Sequence, residues 1–349
     1  MTSPASRSSR HVAKKGMSGT RKALIALGTV LLVLVLAVVG IGLGIRSSIN
    51  SQITHIPNAL PSGTATQSGQ SGQSGQSGQS GETGDAVNFL VLGSDSRESG
   101  GDPTDWQYGG QRSDVMMLVQ ITGDKKGVNV MSIPRDSWVP IADHGDAKIN
   151  AAFSWGGAAL TVQTVEDLTG VTIDHFTIVD FASFEQITDE LGGVEITTVD
   201  GPQQMNGEEA LKFVRERYSL PNGDFDRVRR QQAWIKAIMA KAFSQDVLTN
   251  PGKVTRLTQM LLAHSAVDDS LNFDSMVKLG LGLKDLRPAG VNFMTAPVNG
   301  TGTSDDGQSI VLLNDDLMAK LCEAWREDRV AEFLDEHPEV QTLGSEAVN

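Results

Sequence analysis

The chain runs to 349 residues and carries 42 acidic against 29 basic side chains, a formal net charge of −13, with a single cysteine, Cys322. One cysteine excludes an intrachain disulfide, and so acidic a balance argues against a broad nucleic-acid-binding surface. The positive charge is gathered in short runs, above all Asp226-Arg-Val-Arg-Arg-Gln-Gln232, where three arginines fall within four residues.

The first 22 residues hold Arg7, Arg10, Lys14, Lys15, Arg21 and Lys22 and no acidic residue, and read as a basic cytoplasmic tail. Residues 23–45, ALIALGTVLLVLVLAVVGIGLGI, carry no charge. At about 1.5 Å per residue, a helix of that length exceeds the roughly 30 Å hydrocarbon core of a bilayer. The run is too long for the apolar part of a cleaved signal peptide, and no A-x-A pattern closes it, so a retained anchor is expected. Basic residues before the span place the N-terminus in the cytoplasm and the rest of the chain outside the cell. The seven basic residues up to Arg46 face no acidic one, so the external remainder has 22 basic and 42 acidic residues, a formal −20.

Residues 46–84 include the repeat TQSGQSGQSGQSGQSGETG, which cannot bury apolar surface and reads as a flexible tether. From Asp85 the composition turns globular, and no second linker interrupts it, so residues 85–349 are expected to form one domain. VNFLVLG, VMMLVQI and VNVMSI are short apolar runs ended by Gly, Pro or polar residues, and read as buried strands. TIDHFTIVDF, GVEITTV and VNFMTAP read likewise. Helical patterns lie between them: GGAALTVQTVEDLTG stopped by Gly170, SFEQITDELGG stopped by Gly192, and GEEALKFV capped by Asn206. Further helices are expected over about 225–243, 251–264 and 273–285 and from Asn314. Strands alternating with helices predict an external α/β/α domain with a central mixed sheet, preceded by one transmembrane helix. Cys322, in the helical pattern NDDLMAKLCEAW, is expected to be a small buried hydrophobe.

Familiar nucleophile, zinc and Walker signatures are missing. The six histidines are scattered, with His11 and His55 outside the expected domain, so a histidine metal site is not expected. What remains is a set of Arg and Asp residues at strand ends. Asp95 and Arg97 follow NFLVLG, Arg112 and Asp114 precede VMMLVQI, and Arg135 and Asp136 follow VNVMSI, with Lys148 and Asn150 shortly after. Loops at strand ends build the ligand crevice of open α/β sheets. Any one such Asp–Arg neighbour is most simply a surface ion pair of little energetic weight, but the recurrence at three consecutive strand ends points to a site.

GSDSR, RSDVMMLV, SIPRDSWV, KINAAF, ELGGVEI, ALKFVRER and DFDRVRRQQ, in this order, resemble the motifs of the LytR-CpsA-Psr family over roughly residues 87–241. The resemblance implies a membrane-anchored enzyme that moves a glycopolymer from a polyprenyl-pyrophosphate carrier to peptidoglycan through a phosphodiester. It implies Mg²⁺, or a similar divalent ion such as Mn²⁺, held by Asp95 and Asp114. It also places Arg112, Arg135, Arg215, Arg217, Arg227 and Gln231 at the phosphates, supported by Lys148, Asn150 and Arg230. Asp136 and Asp226 either take the acceptor proton or orient an arginine. The chemistry is consistent: planar guanidinium forks match phosphate oxygens, two carboxylates suit Mg²⁺, and phosphoryl transfer needs positioning and charge neutralisation rather than a covalent helper. A polyprenyl-pyrophosphate hydrolase and a non-catalytic wall-binding or regulatory protein are the competing readings. On a helix, Arg227, Arg230 and Gln231 share a face while Arg229 points elsewhere. Arg215 and Arg217 align only on extended backbone, so the helix capped by Asn206 is expected to end near Phe213.

Overall fold

The computed structural model describes residues 53–60, 85–94, 115–180 and 183–216, and most of 230–340. Three apolar runs form the middle of the sheet: β2 (Val87–Ser94), β3 (Val115–Ile121) and β4 (Val128–Ile133). They are flanked by β7 (His175–Asp180) and β10 (Ser265–Asp268) on one side and β11 (Val291–Thr295) on the other. With β1 (Thr54–Ile56) at the far edge, the seven strands run in the order β1-β10-β7-β2-β3-β4-β11. β2 is parallel to β7, and β4 to β11, while β3 is antiparallel to both of its neighbours, so the sheet is mixed.

Alternation along the strands sends side chains to opposite faces. Phe89, Val91, Met117 and Val119 enter one core; Leu90, Leu92, Met116 and Leu118 enter the other. The second core is closed by α1 (Ala151–Thr169), α7 (Asp315–Arg326) and α8 (Val330–Glu336). The first is closed by α2 (Ser183–Glu190), α3 (Gly207–Arg215), α5 (Pro251–Ala263) and α6 (Phe273–Gly282), with the short α4 (Gln245–Leu248) and the helical residues between 230 and 242. A sheet covered by helices on both faces is the expected architecture.

The predicted stops hold. Gly170 ends α1 in the left-handed conformation (φ 63°), and Asn206 forms a full capping box with Glu209 at the start of α3. Asn314 caps α7 through Leu317 N–H at 3.1 Å. Cys322 is buried, and that burial pushes its thiol up to about 11.

Three features depart from expectation. Composition places residues 53–60 in the tether, yet Thr54–Ile56 pairs in parallel with Ser265–Asp268, and Ile53, Ile56 and Ala59 are buried. A three-residue strand is too short to show a period, and its pairing partner lies over 200 residues away. His55 therefore belongs to the domain, its Nδ1 3.0 Å from the Asp268 carbonyl oxygen. GVEITT does form a strand, β8 (Val194–Thr198), but it pairs with β9 (Gly201–Met205) in a separate hairpin. Finally, α3 runs to Arg215 rather than Phe213. Val214 is buried in the core, and its packing holds the last turn helical.

Candidate active site

The C-terminal ends of β2, β4, β7 and β11 lie at one end of the sheet. Ser94 is registered with Asp180, Gly93 with Val115, Met116 with Ile133, and Ser132 with Thr295. In sequence, Asp95 follows β2 and Asp114 precedes β3, so these strand ends lead to the predicted acidic pair from adjacent positions.

The loop after β4 is the best-defined part of the site. Ser137 N–H donates to the Pro134 carbonyl at 2.9 Å, turning the chain so that Arg135 and Asp136 stand at its tip. Two backbone hydrogen bonds stitch this loop to the next segment: Ile149 N–H to the Ser137 carbonyl at 2.8 Å, and Asn150 N–H to the Arg135 carbonyl at 3.2 Å. Between them runs the hairpin of β5 (Trp138–Ile141) and β6 (Gly145–Lys148), whose register sets Lys148 opposite Trp138. The tip is held from a third side. Val311 N–H donates to the Asp136 carbonyl at 2.8 Å, where β13 (Ser309–Leu313), paired with β12 (Val298–Thr303), runs alongside Ser137. Nothing in the Gly-rich sequence of β12 announced that strap.

These backbone ties bring three predicted side chains together. Asp136 Oδ1 lies 3.2 Å from Lys148 Nζ, and its Oδ2 lies 3.7 Å from Arg135 Nε. All three are partly exposed, at 24% for Arg135, 22% for Lys148 and 36% for Asp136, so the cluster is anchored yet open to a ligand. The carboxylate lies between two cations, and this geometry favours the orienting role for Asp136 over the proton-accepting one. Asn150 is buried at the start of α1, and its side chain makes no capping hydrogen bond there.

Arg230 packs onto the end of α3. Its Nη1 donates to the Phe213 carbonyl at 3.1 Å, and its guanidinium lies 4.0 Å above the Phe213 ring. It thereby ties the helical segment after residue 229 to the end of α3, the turn that carries Arg215. Glu216 is already extended (φ −59°, ψ 134°), so the backbone leaves the helix between Arg215 and Arg217. The predicted Asp95, Arg97, Arg112, Asp114, Arg217, Asp226, Arg227, Arg229 and Gln231 lie outside the described residues, as does the side chain of Arg215. Among the described residues no group of three His, Cys, Asp or Glu could hold a metal ion. Asp95 and Asp114, the expected cation ligands, lie outside those residues.

The model of the LytR_cpsA_psr family matches residues 50–327. The chain belongs to that family. The match begins just before β1, in accord with the place of that strand in the sheet. Over 279 residues the chain is 29% identical to the cell wall biosynthesis protein LcpA of Corynebacterium glutamicum, covering 66% of this chain but only 53% of that relative. It is 29% identical over 296 residues to the polyisoprenyl-teichoic acid–peptidoglycan teichoic acid transferase TagU of Halalkalibacterium halodurans, covering 81% of this chain and 90% of the relative. The solved structure of TagT bound to LI-WTA superposes with a TM-score of 0.50 at 25% identity, over 70% of this chain and 90% of that one. Of these LytR-CpsA-Psr relatives, TagU is named for teichoic acid transfer to peptidoglycan and LcpA for cell wall biosynthesis.

Proposed function

We propose that this LytR-CpsA-Psr protein is a phosphotransferase, anchored in the membrane through residues 23–45 with its folded domain outside the cell. It moves a glycopolymer from a polyprenyl-pyrophosphate carrier to peptidoglycan. The observation that carries this reading is the Arg135–Asp136–Lys148 cluster at the C-terminal ends of parallel strands. A pyrophosphate diester brings about two negative charges, which a guanidinium fork and an ammonium meet with charge-assisted hydrogen bonds. The described residues contain no helix long and apolar enough to cross a membrane, and residues 23–45 lie outside them, so the anchor rests on the sequence.

An acceptor hydroxyl oxygen attacks the phosphorus that bears the glycan. The new P–O bond forms as the P–O–P bridge breaks, the hydroxyl proton is released, and polyprenyl phosphate leaves. Arg135 and Lys148 hold the phosphate oxygens, Asp136 lies between both cations, and Arg230 ties the segment after residue 229 to the end of α3. Mg²⁺ or a similar ion, held by Asp95 and Asp114, would neutralise charge building on the leaving phosphate.

Two results are expected. Full-length protein extracted in mild detergent should carry a polyprenyl-pyrophosphate species visible by mass spectrometry, and repeated absence of any phosphorylated lipid would count against the donor assignment. Asp95→Asn or Asp114→Asn should abolish activity and divalent dependence together while stability shifts by only about 1 kcal/mol, the centre of the range for point substitutions. Unfolding of both variants would make these carboxylates structural instead.

A further inference from the structure

Trp155, one turn into α1, is 49% exposed, and the ring of His144 lies against it with centroids 4.6 Å apart and planes 26° from parallel. Single exposed apolar residues need no explanation. This one, however, is half of a built pair. His144 tops the β5–β6 hairpin, where Asp143 takes a left-handed conformation (φ 62°) that costs a non-glycine residue energy. After Trp155, Gly157 breaks α1 with φ 62° and ψ −149°, a region essentially reserved for glycine. The first turn of α1 is thus set at its own angle, carrying Trp155 against the hairpin. Asp143, His144, Asp146, Trp155 and Gly156 are all exposed, so the hairpin that carries the stacked rings also bears two exposed acidic residues within two positions of His144.

We propose that the His144–Trp155 stack, with Asp143 and Asp146 at its rim, is a subsite for a pyranose ring of the acceptor glycan strand. The inference rests on the transferase reading above, which requires such a strand to reach the cation cluster. The C–H face of a pyranose is weakly positive and lies well on the negative face of an aromatic ring. Its equatorial hydroxyls point sideways, where carboxylates accept charge-assisted hydrogen bonds. The charge decides between acceptor and donor. The donor is held by its phosphates, and a glycopolymer joined by phosphodiesters would be repelled by Asp143 and Asp146. The sugar backbone of a peptidoglycan strand is uncharged and meets no such penalty.

The position fits as well. His144 is four residues from Lys148 along β6, roughly 13 Å at strand spacing. Trp155 is five residues from Asn150, about 8 Å at helical rise. One glycan strand can therefore lie on the platform and present a hydroxyl at the cluster.

The test uses full-length protein in detergent, a linear tetramer of N-acetylglucosamine as binding probe, and transfer kinetics with peptidoglycan as acceptor. Trp155→Ala should weaken probe binding and raise the acceptor KM about tenfold, the weight of one aromatic contact, with kcat changed far less. Trp155→Phe should restore most of the loss, and both variants should melt like the parent. Unchanged probe affinity and acceptor KM in Trp155→Ala would overturn the subsite. A rise in donor KM alone would also overturn it, by assigning the platform to the donor. Wild-type protein that binds the tetramer at Trp155 yet forms no linked product would sink the transferase reading while leaving the sugar platform standing.

Discussion

Arg135→Ala should slow glycopolymer transfer by about 100-fold with the fold intact. The expectation follows from where Arg135 stands. Its backbone carbonyl is tied to Asn150 N–H and its neighbour Asp136 to Val311 N–H, so the loop keeps its shape without the guanidinium. What the variant loses is a charged donor aimed at phosphate, and such hydrogen bonds contribute about 1.5–3 kcal/mol, or 10- to 100-fold in rate at about 1.4 kcal/mol per tenfold. The upper end is expected because the backbone ties of the loop fix the position from which the group reaches out. Arg135→Lys should recover little, since an ammonium cannot span two phosphate oxygens. Steady-state rates at saturating acceptor, with thermal melts as the fold control, check both variants. Full activity in Arg135→Ala would leave the cluster a surface ion pair and nothing more.

The second large effect is on stability. Asp268 is 1% exposed at the end of β10 and ties that strand to β7. Its carboxylate accepts from Phe176 N–H at 3.1 Å and Ser270 N–H at 2.8 Å, meets His175 Nδ1 at 3.2 Å, and also bonds the Ser270 hydroxyl. Burial pushes this carboxyl up, but the His175 contact, the Ser270 hydroxyl and the Phe176 amide outweigh burial and hold it below the usual carboxylate range. Asp268→Asn puts an amide NH₂ among donors, and should cost about 3 kcal/mol. At this domain size that lowers the melting temperature by roughly 6–12 °C.

The pH dependence has a definite sign. Because the folded-state value is depressed, the carboxylate contributes fully above its unfolded value of about 3.9, and that contribution is lost as pH falls through the folded value. The stability gap between wild type and Asp268→Asn should therefore close as pH falls below about 4. Melting curves across that range check the prediction. A gap that persisted undiminished in acid would mean that Asp268 does not titrate as a buried, partnered carboxylate.

Local signals were legible wherever one residue decides an element's end. Asn206, Asn314 and Gly170 did so, because capping is settled within four residues. The long apolar runs of β2, β3 and β4 were legible for a similar reason: strands buried on both faces need no partner to be recognised. β1 was not, because Thr54–Ile56 becomes a strand only by pairing with Ser265–Asp268. The strap from Val311 to Asp136 was hidden in the same way. At the site, Arg135, Asp136 and Lys148 were readable as candidates from strand-end position and motif resemblance. Their assembly around one carboxylate was not, since it depends on the hairpin register that places Lys148 opposite Trp138. The His144–Trp155 stack joins a turn to a helix, and no periodicity links those two positions.

The measurement that tests the central claim most directly is product analysis with a synthetic lipid-pyrophosphate sugar donor, full-length protein, a divalent ion and isolated peptidoglycan. Transfer predicts donor sugar covalently attached to peptidoglycan through a phosphodiester, with polyprenyl phosphate released in equal amount. Free phosphorylated sugar at the same rate with or without peptidoglycan would instead mark a hydrolase, and no turnover of the donor under either condition would contradict catalysis altogether.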